Sequence, residues 1–393
     1  MHAMMLRLSA CVFLAMTGAA FAASTYVPLK TLPHPGELFF SIDDMRARPG
    51  AIPQACTDKS PPLVELPAIK VEWGPGEMAD GSWFAIVLMY ATAHQMREKP
   101  GAESGLMKTV VHAKEELLKW ARANALREFK YNNGTDWWAV WIALPAVMTA
   151  YNTLNHDGML SEAERKDVQG WIESLMKRTR LGGELNIHGP YTANDERINN
   201  KNVRRNLITL LWAVENNDVK AFNRSVENGY MRFLKMMRKD GSVPDANRGN
   251  WALAYTAFHL SAAMFLAEAA AHQGLDLYAL EDDGKSIHTA VKFLLDANDD
   301  PAVAGRYAGA NAGMADKGEK AEYSGKQDPW WKWSTDFGVS LIAWLELYVH
   351  RFPGTENSER LLKLAKERER HTGRDVYLDW SFGNVTCFWG KSD

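Results

Sequence analysis

Residues 240–278 read DGSVPDANRGNWALAYTAFHLSAAMFLAEAAAHQGLDLY, and the rest of the chain is organised around them. Asp240-Gly241 is a turn signal, and a helix interior would not accept Pro244. Beyond them Leu253, Ala257, Leu260, Met264, Ala267 and Ala271 recur with helical spacing, which predicts one long apolar helix. Two polar residues interrupt its start, Arg248 and Tyr255. They lie seven apart, so two helical turns place both on one face, about 10.5 Å apart along the axis. A cation and a phenol together suit an acidic substrate. Arginine holds a carboxylate in a bidentate fork, and tyrosine gives or takes a proton. The same pair also fits a plainer role, with Arg248 closing a loop and Tyr255 a core aromatic with a bonded hydroxyl.

Outward from this stretch, the pattern is helical from Gly81 onward. Candidate helices span roughly 80–97, 105–126, 135–154, 161–178, 200–215, 218–238, 249–272, 285–297, 335–350 and 357–369. Ser161 and Glu164 have capping-box spacing. The 303–326 stretch is rich in Gly and Ala without a period and reads as a long loop. Strand signals are scarce. About ten antiparallel helices joined by short turns give an all-α protein of helical hairpins wound into a toroid or a bundle. Residues 24–75 are rich in Pro and read as an extended segment lying over the main body. The resulting division is a signal peptide at 1–22, an extended segment at 23–79 and one helical domain at 80–393.

Composition narrows the class. The chain has 393 residues, 46% of them hydrophobic, and a net charge of −3. Without a basic excess, nucleic acid is not an expected partner. Fifteen Trp are present; indole rings stack on sugars, but most are assigned to the helical core. Arg7, the apolar run Leu8–Ala19 and the small-x-small site Ala20-Phe21-Ala22 make a secretory signal. The protein is therefore expected in the periplasm or secreted, with no membrane attachment after cleavage. Cys56 and Cys387 remain after processing, either as one disulfide or as two buried thiols. No H-E-x-x-H, C-x-x-C or acidic ligand cluster appears, so no metal or other cofactor is expected.

The central stretch carries D-G-x-x-P at Asp240-Gly241 and Pro244, then R-x-x-x-A-L-x-Y at Arg248, Ala252, Leu253 and Tyr255. It closes with G-x-D-L-Y at Gly274, Asp276, Leu277 and Tyr278. This resembles the catalytic region of the alginate lyases, the mannuronate-lyase family of polysaccharide lyases. The resemblance implies an incomplete (α/α) toroid with a substrate groove. It implies an acidic polysaccharide partner: alginate, polymannuronate or glucuronan.

The same resemblance nominates site residues. Asn199-Asn200-Lys201 stands where the family has N-N-H. Family roles make Asn200 a neutraliser of the substrate carboxylate, while helix capping is the structural role open to both Asn residues. Lys201 replaces the family His and serves either as a base with a depressed pKa or as a further carboxylate clamp. His188, in a loop just before, is a possible substitute for that His; His259, one turn beyond Tyr255, ranks behind it. The catalytic candidates are Tyr255, Arg248, Asn200, Lys201 and His188. The substrate-binding candidates are Asn199, Trp137, Trp138, Lys70 and Arg204; a solvated charge is the plainer reading of Lys70. The aromatic cluster of Tyr323, Trp330, Trp331 and Trp333 reads as a groove wall or lid.

Chemistry connects these residues. A polyuronate lyase removes the C5 proton beside the carboxylate and then expels the C4 oxygen. Asn200 and Arg248 on the carboxylate would stabilise the charge that develops. A cation near Tyr255 favours its phenolate. In β-D-mannuronate and β-D-glucuronate the C5 proton and the C4 oxygen lie on one side, so one tyrosine can act as base and then as acid. The competing expectation is a non-catalytic polyuronate-binding relative that lost the family His at position 201.

Overall fold

Caps open the helices at side chains that the sequence marks. The computed structural model describes residues 25–40, 103–127, 136–179, 199–308, 325, 330–332, 341–372, 378–379 and 381–389. Its helices are α1 (Glu103–Arg122), α2 (Asp136–His156), α3 (Glu162–Arg178), α4 (Asn200–Glu215), α5 (Val219–Ser225) and α6 (Arg232–Met236). They continue with α7 (Ala252–His272), α8 (Ile287–Asp299), α9 (Pro301–Ala308), α10 (Leu345–Arg351), α11 (Glu356–Thr372) and α12 (Val385–Trp389). At α3, Ser161 Oγ accepts the Glu164 N–H at 3.3 Å and Glu164 Oε2 accepts the Ser161 N–H at 2.8 Å, the reciprocal cap expected. Asn199 Oδ1 caps α4 through the Lys201 N–H at 3.0 Å. Asp218 caps α5 through two amides. Each such cap is worth about 1 kcal/mol relative to Ala.

Helix α7 is the axis of the fold. It is apolar all round, and such a helix must be covered on every side. All of it is buried except Tyr255, Glu268, Ala271 and His272. Among the described residues, only Gly249–His272 has the length and apolarity to cross a membrane, and it is this core helix. α4 packs along α7, with α2 and α5 on its flanks; α1, α2 and α3 pack on one another. On the other side α8 contacts α7, α9 and α11, and α10 contacts α11 and α12. This succession of paired helices is the incomplete (α/α) toroid.

Residues 25–40 run over this body without regular secondary structure. Asn223 on α5 holds them by two bonds to the Leu29 backbone, 2.8 and 2.9 Å long. Leu32, Leu38 and Phe39 are buried in the common core. Phe39 stands edge-on to Phe382, beyond the short hairpin strand β1 (Leu378–Asp379) that pairs with β2 (Gly383–Asn384). One apolar cluster thus joins the two ends of the described chain to α7.

Four expectations change. The stretch read as a loop from 303 begins as helix: Pro301 sits at the first position of α9, and Asp300 Oδ1 accepts the Ala302 N–H at 2.9 Å. The helix expected over 218–238 is broken into α5 and α6 by a π-helical turn, Val226–Met231. Gly229 lies in that turn, where a Cβ would come within 2.7 Å of Asn206, so α4 approaches too closely for a larger residue. Two short antiparallel strands, Leu378–Asp379 and Gly383–Asn384, pair where they are too short to leave an alternating pattern. Trp330 and Trp331 are buried in the core rather than lining a groove; Trp331 Nε1 donates to Asn298 Oδ1 at 3.0 Å. The signal segment, the helix expected at 80–97, and Tyr323 and Trp333 lie outside the described residues.

Candidate active site

Gly241 fixes the turn that carries the site. Its φ is +89°, and a Cβ there would sit 2.0 Å from the Thr289 carbonyl oxygen on α8. Only glycine fits both the conformation and the space. Asp240 Oδ1 fastens the turn by accepting the N–H and O–H of Ser242 at 3.1 and 2.8 Å. Pro244 then opens a 3-10 turn, Pro244–Asn247, and a second one, Gly249–Trp251, leads into α7.

Arg248 sits between these two turns at φ −89°, ψ 45° and is not on α7. The expected separation of two helical turns from Tyr255 therefore does not hold. The turn folds the guanidinium back, and its carbon lies 4.2 Å from the centre of the Tyr255 ring. This is cation–π distance. Arg248 is buried, whereas Tyr255 is only partly covered.

The centre of the cluster is Asp245, a carboxylate with no exposed surface. Its Oδ1 accepts from Arg248 Nε at 3.1 Å and from Asn200 Nδ2 at 2.8 Å. Its Oδ2 accepts the Asn200 backbone N–H at 2.9 Å and lies 2.9 Å from His259 Nδ1. Burial pushes the carboxyl up, but the bonds from His259 and Asn200 and the charges of His259 and Arg248 outweigh it. The net effect holds Asp245 below the usual carboxylate range. The Asn200 amide belongs to the first turn of α4, whose helix dipole also favours an anion there. Four groups from three segments thus converge on one internal carboxylate.

His259 is fully buried, rests against Phe233 with ring centres 5.1 Å apart, and has no hydrogen-bond partner at Nε2 among the described residues. Asn199 is buried too; its Oδ1 caps α4 and its Nδ2 has no partner among the described residues. Among the described residues around this core, Lys201, Asn250, Trp251 and Tyr255 are partly exposed.

A second arginine–tyrosine stack stands beside the first. Arg238 lies 4.3 Å over the ring of Tyr307 on α9, and its Nη2 donates to Asn247 Oδ1 at 3.2 Å. Tyr307 donates its hydroxyl to Asp240 Oδ2 at 2.5 Å. Burial and this bond push the Tyr307 phenol up, which keeps it protonated and leaves it a structural donor.

The structure gathers Arg248, Tyr255, Asn200, Asn199 and Lys201 within one neighbourhood. Arg204 faces elsewhere. It is buried, bonds Ser381 Oγ and lies 4.8 Å over the Phe258 ring. Burial, opposed by the charge of Asp379, pulls its guanidinium down to about 10. Lys70 and His188 lie outside the described residues, as do the side chains of Trp137 and Trp138 in the first turn of α2 and the pairing of Cys56 with Cys387.

Sequence reasoning passed over Asp245, which reads as one more turn residue after a proline. Its signal was the i, i+3 spacing to Arg248, a common separation for an ion pair. His259 was set aside because it sits one turn beyond Tyr255. Its partner is the loop carboxylate rather than that tyrosine.

Comparison with known proteins bears on the family and the fold. A family model described as alginate lyase matches residues 103–304, just over half of the chain. No curated protein matches. Among solved structures, alginate lyase A1-III from Sphingomonas species A1 superposes with TM-score 0.65 at 16% identity, over 92% of this chain and 98% of its own. A variant of that enzyme complexed with a tetrasaccharide gives TM-score 0.66 at 18% identity, over 92% and 97%. An alginate lyase from Bacteroides ovatus gives 0.50 at 16% identity, over 74% and 70%. At these identities the likeness shows the fold.

Proposed function

We infer the reaction from a plain premise: the chain belongs to the alginate lyase family, whose members are polysaccharide lyases. We propose that it cleaves a β-1,4-linked polymer of D-mannuronate or D-glucuronate by β-elimination. The observation that carries this reading is the guanidinium of Arg248 held 4.2 Å over the ring of a partly exposed Tyr255.

In this mechanism Tyr255 takes the C5 proton and returns it to the C4 oxygen as the bond breaks. The stacked cation stabilises negative charge on the phenolate. Asp245 holds Arg248 by Nε and so orients the guanidinium assigned to the substrate carboxylate. Charge that builds on that carboxylate as C5 loses its proton is where a fixed cation lowers the barrier most. Asn200 spends its side-chain N–H on Asp245 and acts chiefly by fixing the start of α4 beside the site. Lys201, at that same helix start and partly exposed, reads the sugar.

One observation favours a second reading, polymer binding without turnover. The two groups assigned to the substrate carboxylate already converge on an internal one. Incubation with polymannuronate, alginate and glucuronan decides, because elimination leaves an unsaturated sugar that absorbs ultraviolet light. Growth of that absorbance supports the lyase; retention of polymer with no absorbance supports the binder.

A further inference from the structure

The N-terminal segment meets the far end of α7 in a group of side chains that the lyase reading does not use. His34 Nδ1 lies 3.7 Å from Glu37 Oε2, and His272 Nε2 lies 2.9 Å from the same oxygen. The two imidazoles are 5.0 Å apart between ring centres. All three ligand atoms fall within 4.8 Å of one another.

The backbone presents these groups deliberately. His34-Pro35-Gly36-Glu37 is a turn closed by the Glu37 N–H on the His34 carbonyl at 3.2 Å, with Gly36 at φ +80°. Proline followed by glycine at positive φ is the type II pattern, and it brings the first and fourth residues together. Gln273, fully buried and next to His272, clamps both corners. Its Oε1 accepts the His34 N–H at 3.1 Å, and its Nε2 donates to the His34 and Glu37 carbonyls at 2.8 and 2.9 Å. His272 is the last residue of α7, where the helix dipole favours a cation.

We propose that His34, Glu37 and His272 bind a zinc-class divalent cation that staples the N-terminal segment to α7. Two imidazole nitrogens and one carboxylate oxygen suit a borderline metal such as Zn²⁺ rather than Ca²⁺ or Mg²⁺. In a tetrahedral Zn²⁺ site, bonds near 2.0–2.1 Å set ligand atoms about 3.4 Å apart. The separations of 2.9 and 3.7 Å lie on either side of that value, and the two imidazole nitrogens, within 4.8 Å of each other, draw together as the metal binds. His34 is half exposed, with 51% of its side-chain surface accessible, which leaves room for water as fourth ligand. No sequence motif announces the set, because 235 residues separate Glu37 from His272.

The test uses tag-free full-length protein stripped with a chelator and titrated with Zn²⁺ against a chromophoric competitor. Wild type should bind one equivalent and gain thermal stability from it, and the zinc X-ray absorption edge should report two imidazoles. Glu37→Gln and His272→Gln should each weaken binding by on the order of 100-fold or more, at or beyond the top of the 10- to 100-fold range typical of outer-shell changes. Gln273→Ala should weaken it less, within that range, with the two-imidazole signature kept. No stoichiometric zinc in folded wild type, or equal affinity in the folded ligand variants, overturns the proposal. Neither outcome depends on whether the protein is a lyase.

Discussion

Arg248 Nε donates to Asp245 Oδ1 at 3.1 Å, with both side chains buried. The pair changes what Arg248 is for. A guanidinium loose in a groove would sample many rotamers before meeting a substrate carboxylate. Here Asp245 fixes its plane, and the Tyr255 ring lies on its face. In the proposed reaction the substrate would meet a cation already oriented, with part of its charge balanced by the protein.

Asp245 should therefore act as a positioning residue. Asp245→Ala strands a buried guanidinium and should cost about 3–5 kcal/mol of stability. Asp245→Asn keeps the shape and one acceptor oxygen, so its stability loss should be smaller while turnover falls more than polymer binding does. Urea unfolding and steady-state kinetics check both parts. Equal stability losses in the two variants would contradict the assignment.

The same carboxylate predicts an acid limb of stability. Its folded pKa is held below the ordinary value near 3.9. A depressed carboxylate contributes stability that is complete above the ordinary value and lost as pH falls through the folded one. Wild type should lose thermal stability below about pH 4, and Asp245→Asn should show a shallower slope there. Melting temperature measured against pH tests this, and identical slopes would count against it.

Gly241 holds the turn in place. Gly241→Ala forces a Cβ toward the Thr289 carbonyl at positive φ, and the conformational strain alone is worth about 1–2 kcal/mol. The variant should be less stable and should lose activity, because Asp245 and Arg248 hang from the same loop. A variant as stable and active as wild type would show that the turn relaxes freely.

Lys201→His restores the N-N-H triplet of the resemblance and replaces a long cation with a ring mostly neutral at neutral pH. It should keep elimination and raise mannuronate cleavage relative to glucuronate. The two sugars differ at C2, and a contact of this kind is worth about 10- to 200-fold in preference. The ratio of kcat/KM on the two polymers is the readout. A constant ratio with both rates reduced would return Lys201 to the proton-transfer step.

Much of this was legible before any coordinates. Apolar periodicity marked α7, and the Ser161–Glu164 and Asn199 caps marked α3 and α4, because these signals are local. The Arg248–Tyr255 partnership was legible as a pairing but not as a geometry: helical spacing was extended back through a segment that Pro244 and Gly249 hold in 3-10 turns. Asp245 was missed because its meaning lies in groups brought from α4 and α7. The zinc ligands were invisible for the same reason, since contacts across more than two hundred residues leave no spacing to read.

The most direct measurement compares wild type and Tyr255→Phe on polymannuronate and glucuronan by ultraviolet absorbance of the unsaturated product, with polymer binding measured alongside. Wild type should generate product from at least one polymer, and Tyr255→Phe should bind that polymer, stay folded and generate none. Turnover by Tyr255→Phe near the wild-type rate would contradict the account, because the proton would then travel through another group.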